Sequence, residues 1–287
     1  MPTAILPDRS LIAVTGADAE HLMQNVITCD LDSLPQGVAR AGALLTPQGK
    51  ILFDFLIARD PGGGFTIDMR GDQVEAFTKR MTLYKLRSDM ALSPPLETPV
   101  TISFGDDVET PQGALHDERF ADIIVRRFPV KTGSVKADEK ALAQWNGLRI
   151  EHGIVEGGTD YEWNDVFPHD VSLDQNKGVD FKKGCYVGQE VVSRMQHRGT
   201  ARRRVMIARA DKNFPPGGTE VTADGKSAAM LGTVIGNHAL MIGRLDRVHE
   251  AIRSGTPLLA GDVTVHVVTL PPNVSYTWPE NEQKENG

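Results

Sequence analysis

Residues 182–204 read KKGCYVGQEVVSRMQHRGTARRR, and the organisation of the whole chain turns on them. Cys185, one of two cysteines among 287 residues, lies between Gly184 and Gly188. Val191, Val192 and Met195 follow at helical spacing, which predicts a helix from Gly188 or Gln189. A cysteine just ahead of a helix start has two readings. Buried among apolar neighbours, it is a small hydrophobe. Set near the positive end of the helix, with Lys182 and Lys183 beside it, it is a stabilised thiolate. Gly184 and Gly188 permit backbone angles and close approaches that other residues block. From Arg203 onward the pattern changes to short strands, RVMIARA, TEVT, MLGTVIG and HALMIGRL, with a turn at Asp224-Gly225. A short helix near 246–253 and a last strand VTVHVVTL complete what reads as a small β-barrel.

Upstream of the motif, single helices alternate with hairpins. SLIAVTG reads as a strand, and Ala19, Leu22, Met23, Val26 and Ile27 in the stretch after it are spaced for an amphipathic helix, with Thr15 and Asp18 at its N-terminal cap. VARAGALL and ILFDFLIARD flank TPQGK, where Pro47 presets a turn and Gly49 closes it. FTIDM alternates as a half-buried strand. GDQVEAFTKRMTLYKL reads as a helix on Val74, Phe77 and Met81, with Asp72 and Glu75 placed as a capping box. VTISF, DIIVRRF and a helix over 138–152 continue the pattern, which is α+β rather than doubly wound. The expected division is 1–200 as two interleaved α+β subdomains, 201–271 as the barrel, and 272–287 as a mobile polar tail.

Composition narrows the function classes. A net charge of −7 argues against a protein built mainly to coat nucleic acid. No apolar run approaches the roughly 18 residues that span a bilayer. MPTAILPDRS lacks the pattern of a secretory signal or an Arg-rich presequence, and this predicts a cytoplasmic protein. Cys29 and Cys185 are expected to be free thiols, and with His169 and His197 they lack the paired spacing of a zinc site. No metal is expected from this chain alone, and an iron–sulfur cluster would have to be shared with a partner.

The basic run with Arg194, His197, Arg198, Arg202, Arg203 and Arg204 reads either as a solvated strand edge or as a polyanion site. Within that run no aromatics interleave the charges as RNA recognition would ask, so a small polycarboxylate is as plausible a ligand as RNA. In LRIEHGIVEGGTDY, Glu151 ends a helix. It is either an exposed helix residue or a carboxylate accepting two parallel hydrogen bonds from an amino-pyrimidine edge. There is no GxGxxG loop, Walker loop, HExxH or GxSxG elbow.

KGCYVGQEVVSRMQHRG closely resembles the K-G-C-Y-x-G-Q-E motif of the YgfZ family, a group related to the glycine-cleavage T-protein that includes mitochondrial iron–sulfur assembly factors. VTGADAEHLMQNVIT, LLTPQGKILFDFLI, LYKLRSDM, LRIEHGIVEGGTD, FPHD and LGTVIG fit the same family in the same order, up to about residue 270. The resemblance implies a three-lobed cloverleaf of antiparallel sheets and helices with a C-terminal β-barrel. It also implies a central opening for tetrahydrofolate or a one-carbon derivative. Cys185 becomes the key thiol, surrounded by Lys183, Gly184, Tyr186, Gly188, Gln189 and Glu190. Glu151 becomes the pterin residue, with Arg198, Arg202, Asp54 and Tyr84 completing the folate set. The implied role is accessory to iron–sulfur cluster assembly or repair, with assembly proteins, client enzymes or tRNA-modifying enzymes as partners, a transient shared cluster, and a monomeric state. The alternatives are a folate-dependent aminomethyl or methyl transferase and an RNA-associated factor. Where T-proteins carry two adjacent aspartates, the first catalytic, this chain has Phe53 before Asp54, which sets the transferase reading back.

Overall fold

Alternating apolar residues draw distant segments into one mixed sheet. The computed structural model describes residues 2–105, 110–129, 138–268, 275, 276 and 278. In chain order its first strands are β1 (Thr3–Leu6), β2 (Arg9–Thr15), β3 (Val38–Leu45), β4 (Ile51–Arg59), β5 (Phe65–Arg70), β6 (Ala91–Leu92), β7 (Val100–Phe104), β8 (Leu115–Asp117) and β9 (Val125–Pro129). They lie in the order β1-β7-β9-β8-β3-β4-β5-β2-β6. Their pairs are antiparallel apart from β3 with β8, a parallel contact that the strand-by-strand reading of the sequence does not contain. Four α-helices accompany the sheet: α1 (Ala19–Val26), α2 (Val74–Lys85), α3 (Glu139–His152) and α4 (Gln189–Arg198), with a 3-10 turn at Pro168–Val171.

The last part of the chain closes into a barrel. Its strands are β10 (Arg203–Arg209), β11 (Glu220–Ala223), β12 (Lys226–Ile235), β13 (His238–Arg244), β14 (Leu258–Ala260) and β15 (Val263–Val267), ordered β10-β13-β12-β11-β14-β15, and α5 (Leu245–Ser254) covers one end.

Separate apolar cores make the lobes. One lies between α1, α2 and the sheet, around Met23, Phe53, Phe77 and Met81. A second joins β1, β7 and β9 to α3 around Trp145 and Phe120. The barrel has its own core. A central core, with Leu45, Ile51, Leu56, Tyr186, Val192, Val205 and Ile242, bonds the three together. This is the expected α+β cloverleaf with its C-terminal barrel. Full burial of a side chain such as Phe77 contributes about 1.5–3 kcal/mol, so these cores hold the lobes in place.

Two caps depart from expectation. Asp18, not Thr15, stands at the N-cap of α1, and its carboxylate accepts the Asp89 N–H at 2.7 Å instead of capping the helix. Asp72 is drawn to Arg70, with Nη2 to Oδ2 at 2.8 Å, so no capping box forms at α2. In both cases a partner brought by the fold outcompetes the local backbone donor. The tail 272–287 lies outside the described residues except for Ser275, Tyr276 and Trp278. Of these, Trp278 stacks on His249 at 5.3 Å between ring centroids and Tyr276 meets Trp278 edge-on at 5.0 Å.

Candidate functional site

A bulge in β4 aims the central carboxylate. Leu45 pairs with Ile51 while Leu44 pairs with Phe53, so Leu52 is the extra residue. Without it Phe53 would share the face of Ile51. With it Phe53 turns into the α1/α2 core, edge-on to Phe77 at 5.5 Å, and Asp54 faces the central cleft. Phe53 is a core residue on the opposite face, and the position facing the cleft carries an aspartate. Asp54 Oδ2 accepts hydrogen bonds from Tyr161 Oη–H at 2.6 Å and Gly157 N–H at 2.9 Å. Its Oδ1 is buried without a partner.

Behind Asp54 runs a chain of buried ion pairs. Arg9 donates to Asp68 (2.7 Å), which also receives Arg127 (2.6 Å); Arg127 reaches Asp117 (3.3 Å), and Asp117 holds Arg119 through Nε and Nη2 (2.9 and 2.7 Å). Glu156 lies 3.8 Å from both Arg119 and Arg149, and Arg149 pairs with Asp160. Burial alone would raise the Glu156 carboxyl, but Arg149, Arg9 and Arg119 outweigh it and hold the pKa down to about 2. Its Oε1 nevertheless has no hydrogen-bond partner. Two acceptor oxygens, on Asp54 and Glu156, thus lack a hydrogen bond beside one cavity of about 30 Å³ that Arg9, Arg119, Tyr161 and Asn176 also line, the Glu156 oxygen being held only by the ion pair to Arg119 at 3.8 Å. That volume holds about one or two water molecules, so a ring can enter only if the walls part.

The cysteine motif is a loop fixed at both ends. Asp180 Oδ1 accepts the N–H groups of Lys182 and Lys183 at 2.6 and 2.7 Å. Lys183 Nζ donates to the carbonyls of Ile27 and Cys29, at 2.9 and 2.6 Å, just past the C-terminal end of α1. Lys183 is thus spent on the scaffold and does not serve the thiol. Tyr186 is buried in the central core. Gly188 has φ 80°, and a Cβ there would come within 2.6 Å of the Thr46 carbonyl oxygen, so α4 starts hard against the β3–β4 turn. Gln189 opens α4, and Glu190 places a carboxylate in its first turn, where the helix dipole favours it. Between these anchors Gly184 and Cys185 are exposed. Cys29 is the opposite case, fully enclosed, with burial pushing its thiol up to about 12.

The fold gathers only part of the expected site. Of the folate set, Asp54 lines the cavity. Glu151 is exposed on α3, because the helix ends at Gly153 with its residue 151 turned outward, and Glu156, five residues on, takes the place facing the cleft. Tyr84 packs against the core beneath α1 and α2, on the far side of the sheet. Arg198 and Arg202 are exposed, and Arg202 borders a separate hollow of about 600 Å³ with Met195 and Arg244. Arg203 pairs with Asp165 and Asp170, and Arg204 with Asp174, so two of the six basic residues of the run belong to internal ion pairs. Sequence reading missed Arg9, Arg119, Glu156 and Tyr161. The one local signal was Gly157 after Glu156, where any Cβ would strike the Trp163 ring. Among the described residues no group of three or more His, Cys, Asp or Glu side chains is placed to hold a metal ion.

The cloverleaf with a terminal barrel defines a protein of the glycine-cleavage T-protein fold. The solved aminomethyltransferase T of the glycine cleavage system from Bartonella henselae superposes with a TM-score of 0.67 at 15% identity, over 95% of this chain and 86% of that one. Residues 202–273 match the family described as CAF17, C-terminal beta-barrel domain. The chain's relatives are mitochondrial iron–sulfur cluster assembly factor IBA57 homologs, which bears out the YgfZ resemblance. The homolog from Chaetomium globosum is 31% identical over 71% of this chain and 55% of its own length, and that from Aspergillus fumigatus is 26% identical over 88% and 72%. The chain spans about half the length of the first of these curated relatives. All are named as mitochondrial, which overturns the expectation of a cytoplasmic protein.

Proposed function

We propose that this chain is an accessory factor of iron–sulfur cluster assembly that binds a reduced folate, tetrahydrofolate or a one-carbon derivative, at the floor of its central cleft. The observation that carries the reading is the pair of oxygens without a hydrogen bond, Asp54 Oδ1 and Glu156 Oε1, beside one cavity. A buried acceptor without a donor costs about 1–3 kcal/mol, and the N–H edge of an amino-pyrimidine supplies donors to both. The ring enters as the walls of the small cavity open. Cys185, exposed on a rigid loop, then meets an assembly protein or client enzyme and acts as one ligand of a cluster whose other ligands the partner provides.

Calorimetric titration of tetrahydrofolate tests this. Wild type should bind, and Asp54→Asn and Glu156→Gln should each weaken binding by at least about tenfold. Binding that is absent, or indifferent to both substitutions, would remove the folate assignment. Cys185→Ala should fail to restore cluster enzymes in cells lacking the native gene, and full restoration would remove the role of the thiol.

A second reading, aminomethyl or methyl transfer to folate, is favoured by one observation: Asp54 keeps a free oxygen toward the cavity. Turnover of a methylamine donor with tetrahydrofolate at about 1 s⁻¹ or more, abolished in Asp54→Asn, would establish it.

A further inference from the structure

α2 ends in a turn that the isolated chain does not explain. Ser88 N–H donates to the Lys85 carbonyl at 2.8 Å, closing a turn in which Leu86 holds φ 47° and ψ −103°. Those angles belong to the first central position of a type II′ turn, ordinarily taken by glycine. The shape is imposed by the neighbouring strand entry. Asp18 N–H donates to the Asp89 carbonyl at 2.9 Å, Asp89 N–H donates back to the Asp18 carboxylate at 2.7 Å, and Gly16 packs directly on Asp89. A leucine held in this way stores strain. Burial does not offset it, because the side chain is 85% exposed, and Leu83, one turn earlier, is 64% exposed.

The surroundings are basic. Lys79, Arg80, Lys85 and Arg87 flank the two leucines, and among the described residues none of the four is in an ion pair. Positions 79, 80 and 83 share the helix face opposite Val74, Phe77 and Met81, which are buried. In a chain of net charge −7 these four cations stand beside an apolar projection, with Asp18 and Asp89 at its base each accepting a backbone N–H.

We propose that the end of α2 docks a protein partner whose surface offers an apolar pocket rimmed by carboxylates. Leu86 is the anchor and Leu83 lies beside it, while the four cations steer the encounter and fix its register. A single leucine raised in a fixed, strained turn suits a shaped pocket. A fluid anionic bilayer has no use for that fixity. This surface is distinct from the cleft, and the proposal stands whether or not folate binds there.

The test places a benzophenone-bearing residue at position 86, and separately at position 83, of the full chain in its own cells, and identifies the photo-crosslinked protein by mass spectrometry. That protein is then purified and titrated with wild type, Leu86→Gly and the pair Arg80→Glu/Arg87→Glu. Leu86→Gly should melt at or above the wild-type temperature, since glycine relieves the strained angle, yet bind the partner at least about tenfold more weakly. The charge-reversal pair should slow association most at low salt. The proposal is overturned if neither position yields an adduct, or if Leu86→Gly binds the purified partner as tightly as wild type. It is equally overturned if wild type binds phosphatidylserine-containing vesicles and Leu86→Gly does not, which assigns the patch to a membrane.

Discussion

Two cysteines in one chain meet opposite fates, and the difference lies in what fixes their neighbours. Cys29 is enclosed and neutral, whereas Cys185 is displayed because Lys183 and Tyr186 hold the loop on either side of it. Since Cys185 is exposed, Cys185→Ser should change unfolding free energy by no more than about 0.5 kcal/mol in urea denaturation, separating any functional loss from instability. Gly188 is the contrasting residue. Its φ of 80° and its contact with Thr46 leave no room for a side chain, so Gly188→Ala should cost about 1–3 kcal/mol in the same measurement. The motif was legible in the sequence as a whole. The division of labour within it was not: Lys183 reads as electrostatic support for the thiol, and its amine instead bonds carbonyls more than 150 residues away.

At the scale of elements, the connection between α3 and the barrel rests on Asp160. Its carboxylate takes the Thr233 N–H and hydroxyl of β12, each at 2.6 Å, along with Arg149 of α3. Asp160→Ala removes the carboxylate closest to the buried Arg149, leaving it only Glu156 at 3.8 Å, and should destabilise the fold by about 3 kcal/mol. Hydrogen exchange should show β12 amides near Thr233 opening first, and uniform loss of protection across the barrel would contradict this. Strand and helix periodicity located the α-helices and most strands, because each has its own apolar face, but not β1, β6, β8 or β14. The short β8, with three residues and a parallel partner, carries no periodic signal of its own. The Leu52 bulge was invisible for a similar reason: alternation predicts one face for Ile51 and Phe53, and only pairing with β3 sets them on opposite sides.

At the scale of the molecule, the ion chain from Arg9 to Asp160 adds charge pairing to the central apolar core that joins the lobes. Burial would raise the carboxyls of Asp68 and Asp117, but Arg127 and Arg9 around the first and Arg119 and Arg127 around the second hold both below the usual carboxylate range. Glu156 is likewise held down, to about 2 from its ordinary value of 4.5. A depressed native pKa contributes stability that is complete above the unfolded value and is lost as pH falls through the folded one. Unfolding free energy should therefore drop steeply as pH falls from about 4.5 toward 2, and Glu156→Gln should flatten that slope. An acid limb with the same slope in both proteins would contradict the assignment.

Composition and periodicity alone established the α+β class, the terminal barrel, the hairpin that carries Asp54 and the loop before α4 that carries Cys185, because each depends on residues close in sequence; whether that cysteine is buried or exposed was left to the fold. The partner of every buried charge, the face on which Asp54 emerges and the replacement of Glu151 by Glu156 in the cleft depended on folding. Ion pairs such as Arg9–Asp68 and Arg149–Asp160 form between segments that only packing brings together, and burial then makes their charges strong enough to set the chemistry of the site.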